Sequence, residues 1–315
     1  MTVTVAGTAT IAEKLDEGLA AVERVMLEAT DSQVAVLRDA SRHILGAGGK
    51  RIRPRLLLLA YMALGGRDLE RVARPAAAIE LMHTASVVHD DINDHGILRR
   101  GRPSVNAAWG RTFALLTGDF LFTAVYELMA PYGDLNEDLA SAATALVEGE
   151  TLQAVAVKDN DFSRAVYMRI IALKTAALFR AAGAIGAKLA GARPSEIEAL
   201  SDFGFNLGLA FQIVDDILDL VADEERLGKT AGIDMDQGRG VAVALGADNG
   251  NGRAQAGDPL DAIKRGMLEG DTIDKARKQA DLLVDVAVER LGALETSPAT
   301  QALVELARLV VERES

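Results

Sequence analysis

The chain contains no cysteine. Disulfides, thiolate metal sites and a cysteine nucleophile are therefore excluded, and the composition fits a reducing cytoplasm. Aromatic residues make up only 4% of the sequence, with a single tryptophan. Alanine and leucine outnumber the β-branched and aromatic residues, and no stretch alternates apolar with polar in the manner of a half-buried strand. The strongest apolar run, Leu56–Leu64, falls far short of the ~20 residues a spanning helix needs. No basic flank leads into an apolar stretch before Thr10, so no secretory leader is visible. Positive charge is scarce as well. Lysine and arginine number 34 against 46 acidic residues, a net charge of −12, which argues against nucleic acid or an anionic membrane as the main partner.

What is present suits a globular core: 315 residues, 49% hydrophobic and 25% charged. The apolar residues recur at helical spacing. Helices are predicted over about 9–29, 31–45, 52–64, 68–93, 105–130, 136–157, 162–190, 195–222, 258–268, 271–292 and 298–313. Gly46–Gly49, Gly65–Gly66, Arg193–Ser195 and Ser297–Pro298 punctuate them. No composition shift marks a linker and no solenoid period repeats, so the chain reads as one all-α domain spanning 1–315. The Gly/Asn-rich stretch at about 246–257 predicts a mobile surface loop.

Two aspartate boxes of one shape dominate: Asp90-Asp91-Ile92-Asn93-Asp94 and Asp215-Asp216-Ile217-Leu218-Asp219, each closing an apolar run. Carboxylates set beside apolar segments lose hydration and repel one another, so a compensating cation is the natural inference. On a helix, residues i and i+4 lie ~40° apart around the axis and ~6 Å apart along it. Asp90 and Asp94 thus share a face, as do Asp215 and Asp219, while Asp91 and Asp216 turn aside. Such a set suits magnesium, which takes few carboxylates together with water and phosphate oxygens. Helix-end charge or surface salt bridging would explain one box, and two boxes after apolar runs are harder to explain that way.

The scarce basic residues cluster. Gly48-Gly49-Lys50-Arg51-Ile52-Arg53-Pro54 looks like a phosphate loop but is no Walker A, because Arg51 follows Lys50 and Ile44 replaces the upstream glycine. Lys50 and Arg53 can instead grip a diphosphate directly, although such a turn standing alone would read as solvated. Arg99 and Arg100 lie just beyond the first box. His83 stands two turns before Asp90 on nearly the same face, suited to donate to phosphate, and no companion ligands support a zinc site. Lys174, Thr175 and Gln212 interrupt apolar helices. Buried polar groups of this kind satisfy a neighbour as often as they serve chemistry. Lys229 follows a glycine and can close over phosphates from a loop.

In this order the residues resemble the trans-isoprenyl diphosphate synthases over nearly the whole chain. The likeness runs through Gly48–Pro54, Glu80–Ser86, Arg99–Pro103, Gly118-Asp119, Glu148–Glu150, Leu173–Thr175 and Phe211–Asp216. The resemblance implies an all-helical isoprenoid-synthase bundle around a deep central cavity, usually a homodimer. It implies that Lys50, Arg53, His83 and Arg100 bind isopentenyl diphosphate, and that Arg99, Lys174, Thr175, Gln212 and Lys229 serve the allylic diphosphate. Asp90, Asp94 and Asp215 would be the principal magnesium ligands, three ions per site with substrate bound, supported by Asp91, Asp216 and Asp219. After Lys229 the chain departs from the family pattern, and Arg239 is the candidate to replace a second lysine's phosphate contact.

The reaction so implied is magnesium-assisted ionisation followed by head-to-tail attack of isopentenyl diphosphate, with no protein nucleophile. Small Ala85 and Ser86 before the first box, with flexible Met82 a turn deeper, leave room for a heptaprenyl to decaprenyl product. A geranylgeranyl or farnesyl product is the alternative, should Phe120 or Phe122 close the tunnel. A terpene cyclase and a non-catalytic subunit of a heteromeric synthase are further alternatives. The intact second box and the basic knot speak against the cyclase, and the retained carboxylates and basic ligands against the subunit. No transmembrane segment is expected, only transient membrane contact for release of a greasy product.

Overall fold

Helices begin where the sequence supplies a cap. Thr10 accepts from the Glu13 amide while the Glu13 carboxylate accepts from the Thr10 amide, a reciprocal box that opens α1 (Ile11–Ala29). Asp68 caps α4 (Leu69–Asn93) by accepting from the Arg71 amide, and Ser297 caps α12 (Pro298–Val311) by accepting from the Thr300 amide. The structure is a computed structural model describing residues 10–161, 163–236 and 272–312, with the backbone alone described at 219, 220, 222–236 and 272. Between α1 and α4 lie α2 (Ala35–Leu45) and α3 (Ile52–Ala63). A two-residue hairpin, β1 (Leu98–Arg99) with β2 (Arg102–Pro103), follows α4 and leads into α5 (Val105–Trp109) and α6 (Arg111–Met129). Then come α7 (Leu135–Asp159), α8 (Arg164–Ile171), α9 (Ala177–Leu189), α10 (Pro194–Asp236) and α11 (Thr272–Arg290).

The fold is all-α, as the helical periodicity predicts. Three boundaries differ, each for a local reason. The segment predicted as one helix over 105–130 breaks at Gly110, whose φ of 82° lies outside the helical region. The stretch 162–190 is interrupted by one π turn, Ala172–Ala176, between α8 and α9. Helix α10 continues past 222 to Asp236. The predicted 258–268 helix and the 246–257 loop fall outside the described residues.

Helix α3 sits at the centre. Leu56 to Leu59 are all buried, so this helix is apolar all round rather than striped. It packs on α4, α9 and α12, while α4 packs along α6 and α10 along α9 and α11. Their apolar faces merge into one continuous core cluster. By length and composition Arg111–Tyr132 and Arg164–Leu189 could each cross a membrane, which the sequence reading did not anticipate. The second is 72% buried within the bundle. The first leaves Phe113, Leu115, Leu116 and Tyr126 exposed.

Candidate functional site

Both aspartate boxes and most of the basic residues singled out in the sequence open onto one cavity of about 860 Å³. Asp90 and Asp94 reach it from the last turn of α4, Asp215 and Asp216 from α10, and Lys174 and Thr175 from the π turn. Lys50 and Arg53 enter from the loop before α3 and its first turn, His83 and Ser86 from mid-α4, and Arg99 and Arg100 from the hairpin. The cavity therefore has a carboxylate side and a cationic side, drawn from segments up to 166 positions apart between Lys50 and Asp216.

The cationic side is held in strained backbone. Arg51 (φ 49°) and Arg100 (φ 51°) both lie in the left-handed region, where a residue with a Cβ is disfavoured. Arg100 and Gly101 are the two central residues of the hairpin, and a tight hairpin needs positive φ at both. The Arg100 guanidinium rests on Gly49, where a Cβ would sit 2.6 Å from Nη1. Arg51 is itself buried, donating to Glu80 Oε1 at 3.1 Å and to the Leu45 carbonyl at 3.1 Å. Arg53 lies 4.7 Å from the centre of the Phe179 ring. Burial pushes its pKa down to about 10, against the pull of Glu80 and Asp215, so it stays charged at neutral pH. Burial first, then Arg53, Arg100, Arg99 and Arg51, hold His83 well below the usual histidine range. A neutral His83 donates from one ring nitrogen only.

On the carboxylate side Lys174 is the pivot. Its ammonium lies 2.7 Å from Glu150 Oε1 and 3.6 Å from Asp90 Oδ2, and donates to Gln153 Oε1 at 3.3 Å. Its pKa is raised because Asp90 and Glu150 outweigh the opposing effect of burial, which is the largest single influence. The π turn presents this lysine and Thr175 side by side, a distortion often found at functional positions. Helix α7 reaches the turn only because residue 149 is glycine, since a Cβ there would meet the Lys174 amide nitrogen at 2.8 Å.

The Asp90 carboxyl is pushed up to about 7, mainly by burial, with Lys174 opposing and Glu150 adding to the rise. A carboxyl raised above its unfolded value stabilises the fold below the ordinary carboxylate range, and that contribution is lost as pH rises through about 7. In EDTA, wild-type protein should therefore lose more melting temperature between about pH 5 and pH 7.5 than Asp90→Asn, which has no such proton to lose. Equal losses would contradict this assignment.

Not every residue singled out in the sequence meets the cavity. Asp91 is buried behind it, accepting from Arg99 Nη2 at 2.9 Å, and so acts on the site through the arginine. Burial raises the Asp91 pKa, with Arg99 opposing. Asp216 accepts from Gln212 and from Tyr167. Ser86 lines the cavity, whereas Met82 and Ala85 are buried away from it. Phe120 and Phe122 lie on α6, Phe122 beside the His89 ring at 5.8 Å, and neither lines the cavity. The side chains of Asp219 and Lys229, and Arg239 altogether, lie outside the described residues. Sequence reasoning assigned no role to Glu80, Glu150, Gln153 or Tyr167. Glu80 and Tyr167 carried a signal, polarity within an apolar helix one turn before His83 and two turns before Lys174, whereas Glu150 and Gln153 lie on α7, which held no chosen residue.

Among the described residues no three carboxylates or imidazoles converge closely enough to hold a metal unaided. Magnesium does not require that. Carboxylates from two helices lining one cavity, with basic groups beside them, leave the open donor set it favours.

A family profile described as Polyprenyl synthetase matches residues 34–278. The chain is similar to octaprenyl diphosphate synthase of Escherichia coli (strain K12), at 36% identity over 96% of this chain and 99% of that protein. It is 41% identical to a short chain isoprenyl diphosphate synthase of Methanothermobacter thermautotrophicus, covering 93% of this chain and 95% of that one. Among solved structures it is similar to a decaprenyl diphosphate synthase from Rhodobacter capsulatus, with a TM-score of 0.79, 36% identity, and coverage of 96% and 98% of the two chains.

Proposed function

The chain belongs to the polyprenyl synthetase family, and we propose that it joins isopentenyl diphosphate head to tail to an allylic prenyl diphosphate, yielding a long all-trans polyprenyl diphosphate. The observation that carries this reading is the two-sided cavity, with carboxylates on one wall and a basic cradle on the other. Two diphosphates need two anion sites, and a terpene cyclase has no use for the cradle of Lys50, Arg53, His83 and Arg100.

In this reading that cradle holds isopentenyl diphosphate. Arg99 and Lys174 hold the allylic diphosphate, Thr175 and Gln212 serve it at the carbon that ionises, and Lys229 and Arg239 are proposed to add phosphate contacts from α10 and beyond. Magnesium, held by Asp90, Asp94 and Asp215 and supported by Asp219, would neutralise the charge of the departing pyrophosphate. Lys174 and Arg99 share that load. Their charge is fixed before the bond breaks, so little reorganisation is needed. The apolar lining, Val87, Ile170, Ile171 and Phe211 among it, excludes the water that would quench an allylic cation. The double bond of isopentenyl diphosphate then attacks the cation, and a proton leaves to restore the alkene.

Chain length follows from what stands beyond Ser86. A small side chain there leaves the cavity open along α4, which supports a heptaprenyl to decaprenyl product, and relatives named for long products agree. Ser86→Phe should shift the main product from 35 or more carbons to ~20 or fewer, read by chromatography of chains built from labelled isopentenyl diphosphate. A wild-type product of 15 or 20 carbons only would defeat the long-chain reading in favour of a geranylgeranyl or farnesyl diphosphate synthase.

We place the working enzyme in the cytoplasm as a homodimer. The exposed apolar residues of α6, together with Val147 and Val155 on α7, support a face covered by a second copy. Sedimentation should return twice the chain mass of 33.3 kDa, and a monomer would contradict the dimer. Release of the apolar product is proposed to involve transient membrane contact.

A further inference from the structure

Behind the second box four side chains form a chain of hydrogen bonds with only one polarity. The Tyr167 hydroxyl donates to Asp216 Oδ2 at 2.5 Å, and Gln212 Nε2 donates to Asp216 Oδ1 at 3.0 Å. The Thr175 hydroxyl donates to Gln212 Oε1 at 2.7 Å. An ionised carboxylate has no proton to give, so the Gln212 amide must turn its NH2 group toward Asp216. Its carbonyl oxygen must then face Thr175. The threonine hydrogen is spent on that carbonyl, leaving only lone pairs on the Thr175 oxygen for other neighbours. Thr175, Gln212 and Asp216 line the cavity, whereas Tyr167 stands behind them, 5% exposed, and touches no substrate space. Burial and the adjacent Asp216 carboxylate raise the Tyr167 pKa, so its hydroxyl remains a donor throughout the working range.

We propose that Tyr167 is a positioning residue for the ionisation step: by pinning Asp216 it orients the Gln212 amide and the Thr175 hydroxyl so that oxygen lone pairs, not hydrogens, face the place where the allylic cation forms. This rests on the prenyl-transfer reading above. The physical gain is electrostatic. In a cavity that excludes water, an acceptor beside a developing cation lowers its energy and a donor raises it, with little dielectric screening. A glutamine free to rotate would offer either face.

Tyr167→Phe keeps the ring and its packing and removes only the donor. The expected result is a fall in kcat of ~10-fold, with KM for both diphosphates within ~2-fold of wild type. Calorimetry in the presence of pyrophosphate should find an ammonium analogue of the allylic cation bound ~10-fold more weakly, while an uncharged allylic thiolodiphosphate binds as before. Thr175→Val, altered at the other end of the chain, should show the same selective loss for the cationic ligand. Unchanged kcat and affinities in Tyr167→Phe would overturn the proposal, and so would an equal weakening of both ligands, which would reveal a merely structural role. A wild-type chain that turns over no allylic starter would overturn this proposal and the functional reading together.

Discussion

Asp215→Ala should lower kcat by at least ~10³, with the folded state retained. Asp215 is a cavity residue on α10, as Asp90 and Asp94 are at the end of α4, so its loss leaves the proposed metal clamp without the first carboxylate of its second helix. It also helps keep the buried Arg53 protonated, and Arg53 belongs to the opposite substrate's cradle. The variant should therefore raise the magnesium concentration for half-maximal rate and the KM for isopentenyl diphosphate together. Excess magnesium should restore little, since one coordination side is missing. Steady-state kinetics over a magnesium series checks this, and turnover within ~10-fold of wild type would break the two-box clamp.

Lys174→Met should be the second most damaging change, and its signature differs. The lysine faces Glu150 at 2.7 Å and Asp90 at 3.6 Å. Removing one partner of a buried ion pair typically costs ~3–5 kcal/mol, and Lys174, about a fifth exposed, should fall toward the lower end. That loss should be largest in EDTA and smaller with magnesium and pyrophosphate bound, which supply another cation for Asp90. Catalysis should fall by ~10² even then, because an ammonium poised on the leaving pyrophosphate is gone. Thermal unfolding with and without magnesium separates the two effects. A variant equally destabilised in both conditions would show that Lys174 is not part of the magnesium and diphosphate site.

Much of this site was legible in the sequence because its chemistry is local. An Asp-Asp-x-x-Asp box on a helix projects two carboxylates to one face whatever the rest of the fold does, and Asp90 with Asp94 meets that expectation at the cavity wall. The basic knot was legible for the same reason, as was the all-α class, which follows from 3.6-residue periodicity. The parts that escaped depend on contacts between distant segments. Nothing near Ala172–Ala176 marks a π turn, and the close approach of α7 at Gly149 to the Lys174 amide is a contact between segments 25 residues apart. The role of Tyr167 escaped because its partner Asp216 lies 49 residues away. Asp91 was rightly turned aside by helical geometry, whereas Asp216 lines the cavity beside Asp215, and only the structure gives their partners, Arg99 for one and Tyr167 with Gln212 for the other. The cavity's limit is likewise tertiary. Ser86 and Ala85 are neighbours in sequence, yet only Ser86 faces the space.

The most direct measurement is pyrophosphate release by the purified chain with magnesium, an allylic starter and isopentenyl diphosphate, each omitted in turn. The two aspartate boxes and the separate basic cradle predict release only when all three are present, accompanied by a lengthened prenyl chain. Release from the allylic diphosphate alone would contradict chain elongation and point to a cyclase, and release that needs a second protein would point to one subunit of a heteromeric enzyme.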